Sequence, residues 1–184
     1  MDAVTAIMND HRVFERFFAA LRVGDGDPAA LLAEIEARLH AHSIAEEDHV
    51  YPALVREDPS EVGDVHHGVK EHREAEEKLA AAKKALGTAG FADACTEFIH
   101  AVTHHVEEEE TDILPALRDS TPKAKLEQLG AAFEQRRLAE LADAGYTDPD
   151  GTRESLYEQA RQADVPGRSS MNKDELRRAV EESN

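Results

Sequence analysis

The chain has 184 residues, 41% apolar and 33% charged, and 39 acidic residues against 21 Lys and Arg give a formal net charge of -18. This suits one packed domain with a small appendage, and so negative a surface repels phosphate backbones and anionic lipid. The single Cys95 excludes an intrachain disulfide framework and any four-thiolate site within one chain; no run approaches the roughly eighteen apolar residues of a membrane helix, and no secretory apolar stretch follows Met1, so a cytoplasmic home is expected.

Residues 1–145 read as helix nearly throughout, because Ala, Leu, Glu, Arg and Lys dominate. Val4, Ile7, Met8, His11, Phe14 and Phe18 recur at helical steps, predicting a first helix over Asp2 to Val23 that ends at Gly24-Asp25-Gly26-Asp27. A second helix is expected from Pro28 to Glu57, with a kink or break at Pro52. A third runs from about Ser60 to Leu86 and a fourth from Phe91 to Arg118, where Pro115 repeats the irregularity of Pro52. Thr121-Pro122 opens a fifth, to about Ala144. Short connections between long helices imply an all-α, up-down-up-down four-helix bundle, with the fifth helix alongside or across an end.

Beyond a linker at Gly145 to Gly151, residues 151–184 form a separate small unit of two short helices, about Arg153 to Ala163 and Lys173 to Glu182. Ser170 or Asn172 is placed to cap the second. Leu156, Ala160, Val165, Met171, Leu176 and Val180 supply a very small core, so this tail is expected to be marginal or docked.

Ten histidines in so short a chain require an explanation, and an internal repeat provides one. Asp10-His11-Arg12 recurs as Glu71-His72-Arg73. His42-x-x-x-Glu46, followed by Pro52-Ala53-Leu54, recurs as His105-x-x-x-Glu109, followed by Pro115-Ala116-Leu117. Each half is a helical hairpin with one His on its first helix and His-x-x-x-Glu on its second. Residues four apart share a helical face, so each pair can grip one centre. Stacked about a pseudo-twofold axis, the hairpins bring four His and two Glu into the interior. Imidazole with carboxylate suits iron, manganese or zinc, and a buried carboxylate must be paired, protonated or coordinated.

Other residues are assigned by register. Glu47, Glu107, Glu108 and Glu110 read as solvated flank, with Glu47 and Glu110 also within reach of supporting hydrogen bonds. His40 and His100 read as non-ligands, His104 as the outward neighbour of His105, and His49 as a rim residue. His67 lies five residues before His72 and reaches the site as a further nitrogen ligand only through a π turn. Cys95, between Phe91 and Phe98, reads as a buried inert thiol.

These stretches, over about residues 1 to 120, resemble the hemerythrin-like HHE cation-binding family. The resemblance implies a four-helix bundle with a non-haem centre of two iron ions joined by an oxo or hydroxo bridge. It makes His11, His42, His72 and His105 nitrogen ligands and Glu46 and Glu109 bridging carboxylates. Where hemerythrin has another His, one turn before the position of His72, this chain has Gly68. A set of four His and two Glu is more similar to di-iron repair proteins for iron–sulfur clusters, with His67 available as a substitute ligand. The implied small molecules are dioxygen, hydrogen peroxide or nitric oxide, with catalase-like or nitric oxide-directed activity if the protein is an enzyme. No phosphate-binding Gly-rich loop or nucleotide motif competes with this reading. The tail resembles the Rho termination factor N-terminal-like motif, related to SAP modules. Its nine acidic and six basic residues from Asp148 onward disfavour nucleic acid, for which Arg168, Lys173, Arg177 and Arg178 are the candidate basic spot, and favour helix docking or a protein partner. The alternative is a metal-stabilised scaffold or iron sensor whose tail binds a protein or nucleic acid partner.

Overall fold

The computed structural model describes residues 1–148 and 153–183, all regular structure among them being helical. The Asp2 carboxylate caps helix α1 (Ala3–Val23) by accepting from the Thr5 amide, and Gly24 ends it in the left-handed conformation. Asp27 caps α2 (Pro28–Ala45), whose first turn suits Pro28 because no intrahelical donor is needed there. A π turn, Glu46–Val50, carries the chain from α2 into α3 (Tyr51–Glu57). A short 3-10 turn then leads to α4 (Val62–Ala85). The second half repeats the pattern: α5 (Phe91–Glu108), a π turn at Glu109–Ile113, and α6 (Leu114–Ser120). Helix α7 (Lys123–Asp143) follows, then α8 (Arg153–Gln162) and α9 (Lys173–Glu181) in the tail.

Helices α1, α2, α4 and α5 each pack on the next, and α5 returns to α1, closing a four-helix bundle. The fifth long helix, α7, lies along α1 and α2. Two apolar clusters fill the bundle. One gathers Ile7, Tyr51, Leu54, Leu117 and Phe133; the other gathers Phe14, Phe18, Ile35, Leu79 and Phe98. Each fully buried large side chain contributes about 1.5–3 kcal/mol of transfer free energy. Along every bundle helix the repeated His and Glu residues fall between the two clusters. The interior is therefore apolar at both ends and polar in one middle layer.

The irregularities do not sit at the prolines. Pro52 and Pro115 are the second residues of α3 and α6, where a missing N–H is tolerated. The slack is taken one turn earlier, where the Tyr51 amide donates to the Glu46 carbonyl and the Leu114 amide to the Glu109 carbonyl. Both π turns thus begin at the Glu of a His-x-x-x-Glu pair. Helix α4 is α-helical from end to end, so no π turn swings His67 inward.

In the tail, Asn172 caps α9 and Glu175 completes the capping box. Leu156, Ala160, Leu176 and Val180 are buried, with Val165 and Met171 packed on them. The preceding segment is clamped to the bundle. Arg38 of α2 donates to the Thr147 carbonyl at 3.1 Å, and Arg137 of α7 pairs with the buried Asp148. The Asp148 backbone in turn exchanges two hydrogen bonds with the Gln159 side chain of α8.

Candidate metal centre

The six repeated residues meet in the middle layer. His11 (α1), His42 (α2), Glu46 and Glu109 (π turns) group their donor atoms within 4.8 Å of one another, and so do Glu46, His72 (α4) and His105 (α5). All six side chains are buried, and Glu46 and Glu109 have no exposed surface. Glu46 belongs to both groups: Oε1 lies 3.3 Å from His42 Nε2 and Oε2 lies 3.3 Å from His72 Nε2. Glu109 also reaches across, with Oε2 3.2 Å from His11 Nε2 and 3.9 Å from His105 Nε2. The Nε2 atoms of His72 and His105 are 3.1 Å apart. Two clusters sharing carboxylates are the arrangement that two neighbouring cations need.

What aims each Nε2 inward is a carboxylate behind it. His42 Nδ1 donates to Asp10 at 3.2 Å and His105 Nδ1 to Glu71 at 3.0 Å, each within its own hairpin. His11 Nδ1 donates to Glu110 at 2.8 Å and His72 Nδ1 to Glu47 at 2.9 Å, each across to the other hairpin. This is the pseudo-twofold axis written in hydrogen bonds. A carboxylate on Nδ1 fixes ring orientation and leaves Nε2 as the free, more basic nitrogen, the usual support for a histidine that binds metal.

The interior atoms themselves lack partners. His11 Nε2, His42 Nε2, both Glu46 oxygens and Glu109 Oε2 are buried and complete no hydrogen bond despite their proximity. Such orphaned atoms cost about 1–3 kcal/mol each, more when charged. A cation would satisfy all of them at once, and their imidazole and carboxylate chemistry fits iron, manganese or zinc. The electrostatics record the same tension. Burial, then the Glu109 charge, pushes the Glu46 carboxyl well above its ordinary range. Burial opposes charge on Glu109, but the imidazoles around it prevail and hold it low. Burial likewise opposes charge on His11, yet the Glu109 and Glu46 carboxylates lift it to about 9, whereas burial drives His42 down to about 4.

Tyr51 enters from the start of α3. Its hydroxyl donates to Glu109 Oε1 at 3.2 Å and lies 3.4 Å from His72 Nε2. Gly68 makes room for it: a Cβ there would stand 3.0 Å from the Tyr51 oxygen. The space beside Gly68, the position that departs from hemerythrin, is thus taken by a phenol from another helix. Burial, then the neighbouring carboxylates, raises the Tyr51 pKa well above its ordinary value.

His67 is not in the layer. It is 52% exposed on α4 and faces Glu71 and Glu108. His104 is also outward, as its register implies. Glu47 and Glu110 hold hydrogen bonds behind His72 and His11, and Asp10 and Glu71 do the same behind His42 and His105, a role that register alone does not give them. Their signal was the acidic residue preceding His in both copies of the repeat. Cys95 is buried, as expected. No helix among the described residues is long and apolar enough to cross a membrane.

No curated protein and no solved structure gives a significant match to the chain. A family model described as the hemerythrin HHE cation binding domain matches residues 2–117, ending within α6 and leaving the tail without an assigned relative. That span includes both hairpins and all six interior residues, and the chain belongs to the hemerythrin HHE cation-binding family.

Proposed function

We propose that the protein is a non-haem di-iron protein that binds or turns over a small oxygen or nitrogen species: dioxygen, hydrogen peroxide or nitric oxide. The observation that carries this reading is the set of four imidazoles, each held behind by a carboxylate, with Nε2 directed at two shared glutamates of which both Glu46 oxygens and Glu109 Oε2 complete no hydrogen bond. His11 and His42 would hold one ion and His72 and His105 the other, with Glu46 and Glu109 spanning them. Iron bound there supplies Lewis acidity and one-electron redox chemistry.

The chain's own residues decide what can reach that layer and where protons sit. The phenyl rings of Phe14 and Phe133 stand edge-on to His42 at 5.4 and 5.7 Å between ring centres. With the two apolar clusters they make dry walls, which admit a diatomic molecule or peroxide more readily than an organic substrate. Tyr51 keeps its proton at neutral pH and directs it at Glu109 Oε1, so a proton donor stands at the centre's edge. At the His11 side, Arg12 donates to both oxygens of Glu110 at 2.6 Å, closing the rim.

The test is anaerobic Fe(II) loading followed by optical spectra on adding dioxygen, peroxide or nitric oxide. Two irons per chain and a spectral response to at least one of the three are expected. Fewer than two irons, or silence toward all three, would end the proposal. Metal analysis of protein from iron-replete cells distinguishes iron from zinc or manganese as the resident ion.

A further inference from the structure

Outside the buried layer, two more His-x-x-x-Glu pairs face each other across the seam between α4 and α5. They are His67 with Glu71, and His104 with Glu108. The spacing puts each imidazole and its carboxylate on one helical face. His67 Nε2 lies 3.6 Å from Glu71 Oε1 and 3.3 Å from Glu108 Oε2. His104 Nε2 lies 3.3 Å from Glu108 Oε1 and 3.9 Å from Glu71 Oε1. Each imidazole therefore meets both carboxylates, its own and the one across the seam. Two independent surface ion pairs would not need those cross contacts. His67, Glu71 and Glu108 each offer a donor atom within 4.8 Å of the others, and His104 flanks that set at 3.3 Å from Glu108; donors about 2.0–2.1 Å from a shared ion stand about 3.3–3.5 Å apart in a tetrahedral set.

Glu71 links this ring to the interior. Its side chain is 11% exposed, against 52% and 54% for His67 and His104. Oε1 faces the surface ring while Oε2 accepts from Nδ1 of the buried His105. The buried layer needs such a link, because an ion must find a route to donors that have almost no exposed surface. Beside the ring lies a cleft of about 150 Å³ lined by Glu74, Glu97 and His100, and its one lysine, Lys78, is engaged with Glu97 at 3.1 Å.

We propose that His67, Glu71, His104 and Glu108 form a surface site for a divalent cation such as Zn(II), Mn(II) or Fe(II), and that ions dock there before passing Glu71 to the interior. The docking role rests on the buried centre proposed above; the surface site does not. Equilibrium dialysis against Zn(II) and metal analysis test the site. Wild type should retain three zinc ions per chain, and the double variant His67→Ala/His104→Ala two, with unchanged circular dichroism because both residues are exposed. A count of one in wild type and none in the variant would keep the surface site and discard the buried centre. Equal counts in the two proteins would overturn the surface site. Stopped-flow uptake of Fe(II) under anaerobic conditions tests the docking role. The variant should load more slowly, on the order of tenfold as expected when an ion-concentrating surface is lost, and reach the same final two irons. Equal rates would overturn that role.

Discussion

At Glu46 the fold holds a carboxylate with no hydrogen-bond partner on either oxygen and no exposed surface. Burial, reinforced by Glu109, raises its pKa in the folded state, so the unfolded chain ionises first as pH rises. Below the ordinary carboxylate range both states carry the proton and there is no penalty. Above it the folded state is disfavoured by about 1.4 kcal/mol per pH unit, until its own raised pKa is reached. Glutamine has no charge to bury. In protein stripped of metal by a chelator, Glu46→Gln should unfold at the same urea concentration as wild type in acid and at a higher one at neutral pH. Metal should reverse the order, because wild type gains binding free energy from the ions while the variant has lost one of the carboxylates proposed to hold them. Urea melts across pH, with and without metal, check both signs. A variant that tracks wild type at every pH would show that Glu46 is not a strained residue held for a ligand.

The two π turns show what an element does that no single residue can. Each begins at an interior Glu and hands the chain to the next helix segment, which in the first half carries Tyr51 into the centre. Gly68 on α4 must then stay small. Gly68→Ala should cost about 1–3 kcal/mol, the range for overpacking. The cost should nearly vanish in a Tyr51→Phe background, where the nearest remaining ring atom is Cζ at 3.4 Å. Thermal unfolding of the four proteins gives the coupling directly; equal costs in both backgrounds would mean that the hydroxyl is not what fills the space. Much of this was legible in the sequence. Apolar periodicity gave the helices, the doubled His-x-x-x-Glu on buried stripes gave four of the six interior residues, and the repeat around His11 and His72 gave the other two. The π turns were not, because a proline marks that a helix must adjust without saying on which side. The arrival of Tyr51 depends on that turn, which the sequence does not signal. Asp10 and Glu71 were hidden by composition: among 39 acidic residues, an Asp or Glu beside a His reads as solvent-facing.

Across the whole molecule, one line of charges joins the tail to the centre. Asp148, just before the tail helices, pairs with Arg137; Arg137 Nε lies 3.4 Å from Asp10 Oδ2; and the same oxygen accepts from His42 Nδ1. All four side chains are buried. Burial opposes charge on Asp10, but Arg137 together with His42 and His11 prevails and holds the carboxylate ionised, which keeps the acceptor that orients His42. Arg137 therefore divides one positive charge chiefly between Asp10 and Asp148, with Glu134 at 2.9 Å as a third partner. Asp148→Asn keeps the shape and removes one claim on that charge. Arg137 should then draw closer to Asp10 and weaken the carboxylate's grip on His42. The expected result is a loss of about tenfold in affinity for the more weakly held ion, the lower end of the range for groups that support metal-binding histidines, with helical content unchanged. Arg137→Ala should be far worse for folding, by about 3–5 kcal/mol, because it takes from the buried Asp10 and Asp148 carboxylates the cation they share. Competition against a chelator of known strength reads the first effect and urea unfolding the second. If Asp148→Asn binds metal as tightly as wild type, Arg137 serves only to clamp the segment before the tail, and the charges at its two ends act independently.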